Sequence, residues 1–471
     1  MNIILGAGPA GMSALYELHK NNIKAIVIEK EDKIGGLAKT LIFKEKDLIF
    51  RTDIGPHRFF SKNKYLYDMI EELLGNDWIL VKRKTRQYIE GKFYDYPINA
   101  LQAFKNIGLI KSAEIGLSYL ESIIKYRLLK NEIKNFEDYI EANFGKKLGN
   151  FNMLNYTEKI WGIPCNRLHA DWAKQRIKGL SLTAALKNAI FKQKGPKTLV
   201  DAFYYPKYGT GTIYETIAKK TKATIHTNSY PLKIYHNNKK ILKIDFLING
   251  KKETISPLNV ISSIPITIFL NLLEPLPNKE VIQAANNLKW RSQVYLFITL
   301  NKKQISEDNW IYFPNKEIPF ARISEMKNFS KEMSPKDKTS LFVEYFVYEN
   351  DKIWNMNKNQ LFELTMKHLQ KTKLISKKDV RNYYLIKKKF VYPVYDLEYE
   401  KNLETIKKYL NQFDNLYYVG RPGRYQYTNQ DHSLEMGILA AKSIIDGKKY
   451  DIDKIGSEKE YFEKGVIKNP I

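Results

Sequence analysis

An α/β chain is predicted: a parallel sheet entered through a βαβ unit, interleaved with a second domain of helices and antiparallel sheet. Three observations predict it. Residues 2–5 form a short apolar strand that runs into Gly6-Ala7-Gly8-Pro9-Ala10-Gly11, a helical pattern reaches Leu18, and a second strand from Ala25 to Ile28 ends at Glu29. That is strand, glycine turn, helix, strand in about thirty residues. Apolar residues then recur at mostly helical spacing from Lys64 to about Lys197, and strand-like runs recur from Trp290 to about Tyr395. At 471 residues the chain is too long for one compact core, so two domains are expected.

Taken in order, helices are expected over residues 64–74, 107–129 and 135–143. Residues 223–248 read as strands around the turns Asn237-Asn238 and Asn249-Gly250. Asn259 to Ser263 reads as a buried strand closed by Ile264-Pro265. Further strands are expected over residues 293–300, 340–348 and 380–386, and residues 416–445 read as strand, glycine-bearing loop and helix. With no repeat and no long linker, the chain is expected to weave between domains. The nucleotide-binding domain would take residues 1–65, 200–270 and 410–450, and the substrate domain residues 66–199 and 271–409. Residues 451–471 read as a polar, loosely ordered tail.

Composition is globular, with 44% hydrophobic, 13% aromatic and 27% charged residues. The single cysteine, Cys165, permits no internal disulfide and fits a reducing compartment. The apolar opening lacks the basic leader of a signal peptide, and no apolar run approaches the ~20 residues that span a bilayer. A soluble, cytoplasmic protein is expected. The net charge of +26 suits an anionic partner, but the lysines are scattered in ones and twos and no nucleic-acid-binding motif is present. Nucleic acid is therefore not an expected partner, and no metal site is expected.

Gly6, Gly8 and Gly11 fit G-x-G-x-x-G. The first glycine makes a tight turn, the second lets the backbone approach a pyrophosphate, and the third lets helix and strand pack closely. The pyrophosphate would rest on unpaired N–H groups at the helix N-terminus. Glu29, at the end of the second strand, is placed to accept hydrogen bonds from adenosine ribose hydroxyls. This is a Rossmann-type domain; the bland alternative is a structural turn without a ligand.

Shortly after Glu29 come Gly35-Gly36-Leu37-Ala38-Lys39-Thr40 and Thr52-Asp53-Ile54-Gly55-Pro56-His57. Val260-Ile261-Ser262-Ser263-Ile264-Pro265 and Tyr418-Val419-Gly420 follow in the same order. This series resembles the flavin amine oxidase and protoporphyrinogen oxidase superfamily. The resemblance implies FAD, with Gly36 and Leu37 along the cofactor, Gly55, Pro56 and His57 beneath or beside the flavin, and Gly420 in a C-terminal FAD segment.

Within that superfamily the remaining motifs resemble the UDP-galactopyranose mutases, particularly the eukaryotic type. They are Gly55-Pro56-His57-Arg58-Phe59-Phe60-Ser61; Trp161-Gly162-Ile163-Pro164 with Trp172 and Arg176; Trp310-Ile311-Tyr312-Phe313-Pro314 with Pro319-Phe320-Ala321-Arg322; Tyr392-Pro393; and Tyr425 with Asn429-Gln430-Asp431-His432-Ser433. The resemblance implies interconversion of pyranose and furanose forms of a nucleotide sugar by attack of reduced flavin N5 on the anomeric carbon, for cell-surface polysaccharide synthesis. NAD(P)H would serve only to reduce the flavin.

It also implies residue roles. Arg176 and Arg322 would clamp the diphosphate, a match of guanidinium to phosphate geometry. Phe60 would hold the uracil region, and Tyr312, Tyr392, Tyr425 and Asn429 would bind substrate. Asn429 and Gln430 would also face the cofactor, and His57 would fix flavin geometry and relay a proton. Read from the residues alone, Trp161 and Trp172 suit core packing, His57 suits a helix cap, and most tyrosines are structural. Asp431 reads as structural. The chain departs from the mutase pattern at Tyr156-Thr157-Glu158, at Pro56 and in the more basic Gly420-Arg421-Pro422-Gly423-Arg424 loop.

Two other readings stand beside the mutase. One is a FAD-dependent oxidoreductase of protoporphyrinogen oxidase or amine oxidase type, whose signature is an apolar substrate cavity. The other is a non-catalytic or membrane-associated FAD protein, which an exposed amphipathic basic helix would favour. Residues 107–130 are the one candidate for that helix, and read more simply as a buried domain helix. The oligomeric state stays open, a homo-oligomer included.

Overall fold

The computed structural model describes residues 1–96, 105–170 and 202–456. Asn2–Leu5 (β1) is buried throughout and lies at the centre of a five-stranded parallel sheet. Asn259–Ser262 pairs on one side and Ala25–Ile28 (β2) on the other, with Leu416–Tyr418 and Ile225–His226 outermost. Both faces of a parallel sheet are covered, which is why β1 and β2 read as near-continuous apolar runs. The strands come from the beginning, middle and end of the chain.

The helix Pro9–Lys20 (α1) covers one face, and Gln430–Ile445 packs on α1 so closely that a Cβ on Gly437 would lie 2.0 Å from the Ala10 carbonyl oxygen. Ser13 Oγ donates to Leu434 O at 2.8 Å across the same contact. A hairpin, Thr40–Glu45 (β3) and Leu48–Asp53 (β4), follows the parallel unit. Asp53 is buried and ties the hairpin to residues 205–210, far along the chain, accepting from Thr40 Oγ1 at 2.5 Å, Tyr205 Oη at 2.6 Å and the Thr210 backbone N–H at 3.2 Å. Burial pushes its pKa up to about 6 against those hydrogen bonds.

The second large sheet has seven strands built around the antiparallel trio Val380–Pro393, Trp290–Leu300 and Thr339–Val347. Arg322–Ser324, Trp310–Tyr312, Thr85–Ile89 and Lys92–Asp95 extend it. A four-stranded sheet includes the hairpin Ile241–Ile248 and Lys251–Ile255. Asn249 (φ +49°) and Gly250 (φ +79°) form its turn, both in the left-handed region that tight hairpins need.

The Lys64–Leu74 helix (α2) has its expected bounds, with Asn63 Oδ1 accepting from Tyr65 N–H at 3.0 Å. Phe136–Phe144 is one residue offset from expectation. Three corrections are needed. Among the described residues of 64–197 helix prevails as expected, with one exception: Trp78–Lys82, Thr85–Ile89 and Lys92–Asp95 are strands. The last two turn back at Glu90 and Gly91, both at positive φ, and pairing with Trp310–Tyr312 decides what local periodicity could not. The expected helix over residues 107–129 is Leu109–Ile123 followed by a π-turn, Ile124–Leu128, and it is not a buried domain helix, because its aliphatic side faces outward. The tail begins docked rather than loose: Ile452 and Ile455 are buried, and Asp453 Oδ1 pairs with Arg424 and, at 2.5 Å, with Lys407. Among the described residues no helix is long and apolar enough to cross a membrane.

Candidate active site

The carboxyl ends of β1, Asn259–Ser262 and Leu416–Tyr418 converge on the glycine turn, the place where open parallel sheets bind ligands. Gly6 adopts φ +95°, and a Cβ there would lie 2.4 Å from Ser263 Oγ. On Gly11 a Cβ would lie 2.0 Å from the Gly6 carbonyl oxygen. Gly8 differs: the nearest atom to its Cβ would be Gly36 Cα at an ordinary 3.8 Å. Space inside the protein therefore does not require glycine at position 8, whereas approach of a ligand from outside would. On Gly36 (φ +56°) a Cβ would lie 3.0 Å from Gly8 Cα, and on Gly420 (φ +74°) 3.1 Å from Ala10 Cβ. The glycines singled out in the sequence thus meet at the start of α1.

That helix start suits an anionic diphosphate. Pro9 occupies the first turn, no side chain caps it, and no acid lies in it, so the helix-dipole charge and the free N–H groups are unopposed. Glu29, 7% exposed, accepts from Ala7 N–H at 2.7 Å and from Glu31 N–H at 2.9 Å. A carboxylate has about four lone-pair directions, so the remaining ones suit ribose hydroxyls. The residues present fit an FAD.

The histidine loop stands on this turn. His57 Nε2 lies 2.9 Å from Leu37 O and 3.1 Å from Ile54 O. Two carbonyls at one nitrogen assign the proton to Nε2 and leave Nδ1 as an acceptor. Burial, with the positive charges of Arg421 and Arg322, pushes the imidazole down to about 4, the backbone hydrogen bonds opposing in part. His57 is neutral at neutral pH. Pro56 lies beside it, half-buried.

Gly55 carries the loop to the seven-stranded sheet: its Cβ would lie 3.4 Å from Glu344 Oε1 and 3.9 Å from Arg322 Nη2. Arg322 Nη2 donates to Glu344 Oε1 at 2.8 Å and Nε to Oε2. The pair is bidentate, and Glu344 is 1% exposed. This pairing holds the Arg322 guanidinium firmly charged against the burial that disfavours it. Among the described residues, Glu344 takes two of its five N–H groups.

Aromatic rings close the other side. The Tyr156 ring lies 5.3 Å from that of Tyr312, which also meets Tyr96 at 5.4 Å. Tyr392 stacks on Tyr427 at 5.4 Å and on Phe346 at 5.7 Å. The Arg421 guanidinium lies 4.7 Å from the Tyr392 ring centre and 5.2 Å from that of Tyr427, with Nε donating to Thr428 O at 3.0 Å. Burial raises the Tyr156 and Tyr392 hydroxyls, so both are neutral donors.

The C-terminal motif is mostly structural. Asn429 is the N-cap of Gln430–Ile445, joined to His432 in a capping box whose Nδ1 accepts from Asn429 N–H at 3.3 Å. Gln430 Nε2 donates to Tyr214 Oη at 2.5 Å. Tyr425, expected in the substrate-binding set, is turned into the core. It is 0% exposed, its hydroxyl accepts from Val394 N–H at 3.1 Å, and its proton lies between Lys289 O at 2.6 Å and Val394 O at 2.9 Å. Among the described residues, backbone groups take its proton and one of its two lone pairs. Phe60 is 4% exposed, with the Arg58 guanidinium 5.2 Å from its ring centre, and offers little free face for a base. Trp161, 1% exposed, packs in the core as read from the residues. Arg176 and Trp172 lie outside the described residues.

Residues that the sequence left unassigned complete the site. Glu344 is the one charge in the apolar strand Thr339–Val347, and that isolation was its signal. Arg421 and Tyr156 stood in segments noted only as departures.

The sequence model of the family described as flavin containing amine oxidoreductase matches residues 9–445. A curated relative, the UDP-galactopyranose mutase of Mycoplasma genitalium (strain ATCC 33530 / DSM 19775 / NCTC 10195 / G37), is 21% identical over 457 residues, covering 94% of each chain. The fold is similar to that of a reduced UDP-galactopyranose mutase crystal structure, with a TM-score of 0.82, 22% identity, and 97% of this chain and 96% of that one covered. A redesigned putrescine oxidase is more distant, with a TM-score of 0.61 and 14% identity over 95% and 99% of the two chains.

Proposed function

Because the chain belongs to the flavin containing amine oxidoreductase family and is an FAD-dependent enzyme, we propose that it is a redox-neutral mutase that interconverts the pyranose and furanose forms of a nucleotide sugar. The observation that carries this reading is the placement of Arg322 and Arg421 with the tyrosines around His57. An anionic, hydroxyl-rich substrate suits such a wall better than an amine does. The curated relative acts, by its name, on UDP-galactopyranose, and this chain takes a substrate of that class.

When bound and reduced, FAD supplies an electron-rich N5 able to displace a nucleoside diphosphate from the anomeric carbon. The protein positions and shelters. Arg322, held by Glu344 through Nε and Nη2, presents Nη1 to a diphosphate oxygen; the bidentate hold fixes its plane and moderates its charge. Arg421, backed by Thr428 O, adds a second cation, and Arg176 belongs to the same clamp in this reading. Tyr156, Tyr312 and Tyr392 offer neutral hydroxyls to phosphate or sugar. His57 keeps its proton on Nε2 against Leu37 O and accepts at Nδ1. It acts by holding the loop over the Gly36-Leu37 turn, and its lowered pKa makes it no source of protons at neutral pH. Gly6, Gly8, Gly11, Glu29, Gly36, Leu37, Gly55, Pro56, His57, Gly420, Asn429 and Gln430 form the cofactor-binding segments in this reading, and NAD(P)H is the reductant that primes the flavin.

A second reading, an oxidoreductase acting on an amine or porphyrinogen, is favoured by the aromatic character of the Tyr392, Tyr427 and Phe346 wall. Titrating the purified holoenzyme with UDP, dTDP and GDP separates the two. The mutase reading expects one nucleotide to perturb the flavin spectrum, with weakened affinity in Arg322→Lys. Absence of any nucleotide effect, with a perturbation by amines instead, would favour the oxidoreductase.

A further inference from the structure

Tyr312 and Arg322 are the last opposed pair of the strands Trp310–Tyr312 and Arg322–Ser324, and residues 313–321 connect them. That connection contains Pro314 and Pro319, which have no N–H to donate, so a regular ladder cannot use up its carbonyl groups. It does not leave them all in water either. Phe313, Ile318 and Phe320 are buried, and the rings of Phe313 and Phe320 meet edge to face at 4.8 Å. Buried carbonyls need donors from elsewhere in the fold.

The donor is Lys159. Its Nζ donates to Phe313 O, to Asn315 O at 2.6 Å and to Phe320 O at 3.3 Å. An ammonium has three N–H groups, and here they meet three carbonyls drawn from both ends of the connection. Lys159 lies on the helix Leu154–Trp161, three residues after Tyr156 and therefore on the same face. That helix is itself fixed at its end. The buried Arg291 donates from Nε to Ile160 O at 2.9 Å and from Nη2 to Lys159 O at 3.3 Å, and Tyr348 Oη donates to Trp161 O at 2.9 Å. One side chain thus links the helix that carries Tyr156 to the connection between Tyr312 and Arg322. Lys316 pairs with Glu158 beside it at 2.6 Å, a more exposed bond of little strength. Burial pushes the Lys159 ammonium down to about 7, with Glu317 opposing. An uncharged amine would have only two N–H groups for the three carbonyls.

We propose that Lys159 is a positioning residue: by holding residues 313–321 to the helix Leu154–Trp161, it sets Tyr312 and Arg322 against Tyr156 for the bound anion. This rests on the reading of those three residues as the substrate wall. Lys159 acts through them and touches no substrate itself. A tie that served the fold alone would change the melting temperature without separating nucleotide affinity from flavin retention. A tie that positions the wall separates the two, because the glycine turn and Glu29 lie on the other sheet.

The full-length holoenzyme is titrated with UDP, dTDP and GDP at about pH 6, where Lys159 is mostly charged, while the flavin spectrum is followed. Lys159→Met removes every donor, Lys159→Gln keeps two N–H groups without the charge, and Lys159→Arg keeps both charge and donors. The nucleotide that perturbs the wild-type flavin is expected to bind Lys159→Met at least about tenfold more weakly and Lys159→Arg within about threefold of wild type. Flavin content should be unchanged in both. Amide exchange, read by mass spectrometry, should quicken over residues 313–321 of Lys159→Met and not over residues 290–300. If Lys159→Met fails to fold, Lys159→Gln decides in its place, with an expected loss of at least about threefold. Unaltered affinity in the uncharged variant, an equal loss in Lys159→Arg, or unchanged exchange over residues 313–321 would overturn the proposal. If no nucleotide perturbs the wild-type flavin, the mutase reading fails and takes this inference with it. Wild-type binding that Lys159→Met leaves intact removes this inference alone.

Discussion

Arg322 and Glu344 face each other in register on neighbouring antiparallel strands, and the arginine grips the carboxylate through both Nε and Nη2. The pair is buried on the Glu344 side, so an alanine test of the arginine measures two things. Removing one partner of a buried ion pair costs about 3–5 kcal/mol, because the other charge is left uncompensated.

Arg322→Ala is therefore expected to lower stability by roughly that amount and to raise KM. The double variant Arg322→Ala/Glu344→Leu should regain most of the stability while KM stays high. Denaturant titration beside steady-state kinetics checks this. Recovery of KM in the double variant would remove Arg322 from the clamp.

Gly8→Ala and Gly11→Ala should fail differently. Gly11 has the Gly6 carbonyl 2.0 Å from where a Cβ would sit, whereas Gly8 has nothing closer than 3.8 Å. Gly11→Ala is expected to disrupt folding. Gly8→Ala should fold with an unchanged apoprotein melting temperature and lose FAD, read from the flavin absorbance of the purified protein. Full flavin retention in Gly8→Ala would mean that the pyrophosphate does not approach there.

His57 has a definite sign in the pH dependence of stability. Its folded pKa of about 4 lies below the ordinary histidine value of 6.5, so between these values the unfolded chain binds the extra proton. Its contribution to stability is full above pH 6.5 and is lost as pH falls toward 4. Asp53 acts oppositely: with its pKa pushed up to about 6, its contribution weakens as pH rises from about 4 to 6. Stability curves of His57→Gln and Asp53→Asn should change slope in opposite directions across this range. A slope unchanged in His57→Gln would mean that the fold does not lower the His57 pKa.

Tyr425→Phe should cost about 1–3 kcal/mol, since the buried Val394 N–H loses its acceptor, and should leave KM unchanged. A raised KM at unaltered stability would restore Tyr425 to the substrate.

The nucleotide half of the fold was legible because its signals are local. The turn Gly6 to Gly11 and the acid Glu29 lie within one βαβ unit, and the structure gathers them at one point. The substrate side was legible only through resemblance. Tyr425 and Asn429 match a motif, yet what each hydrogen-bonds is set by Lys289, Val394 and His432. Glu344 was unread because its partner is close across a sheet but distant in sequence. The strands at residues 78–95 were missed because pairing with Trp310–Tyr312 outweighs their own periodicity.

Turnover of a nucleotide sugar by the reduced enzyme separates a mutase from an oxidoreductase. The protein, reduced with dithionite and kept anaerobic, is supplied with UDP-, dTDP- and GDP-hexopyranoses while flavin absorbance is followed and products are separated by chromatography. The mutase activity predicts many equivalents of furanose product from one nucleotide series, with the flavin still reduced at the end. No conversion of any sugar nucleotide, together with bleaching of the oxidised enzyme by an amine or a porphyrinogen, would contradict it.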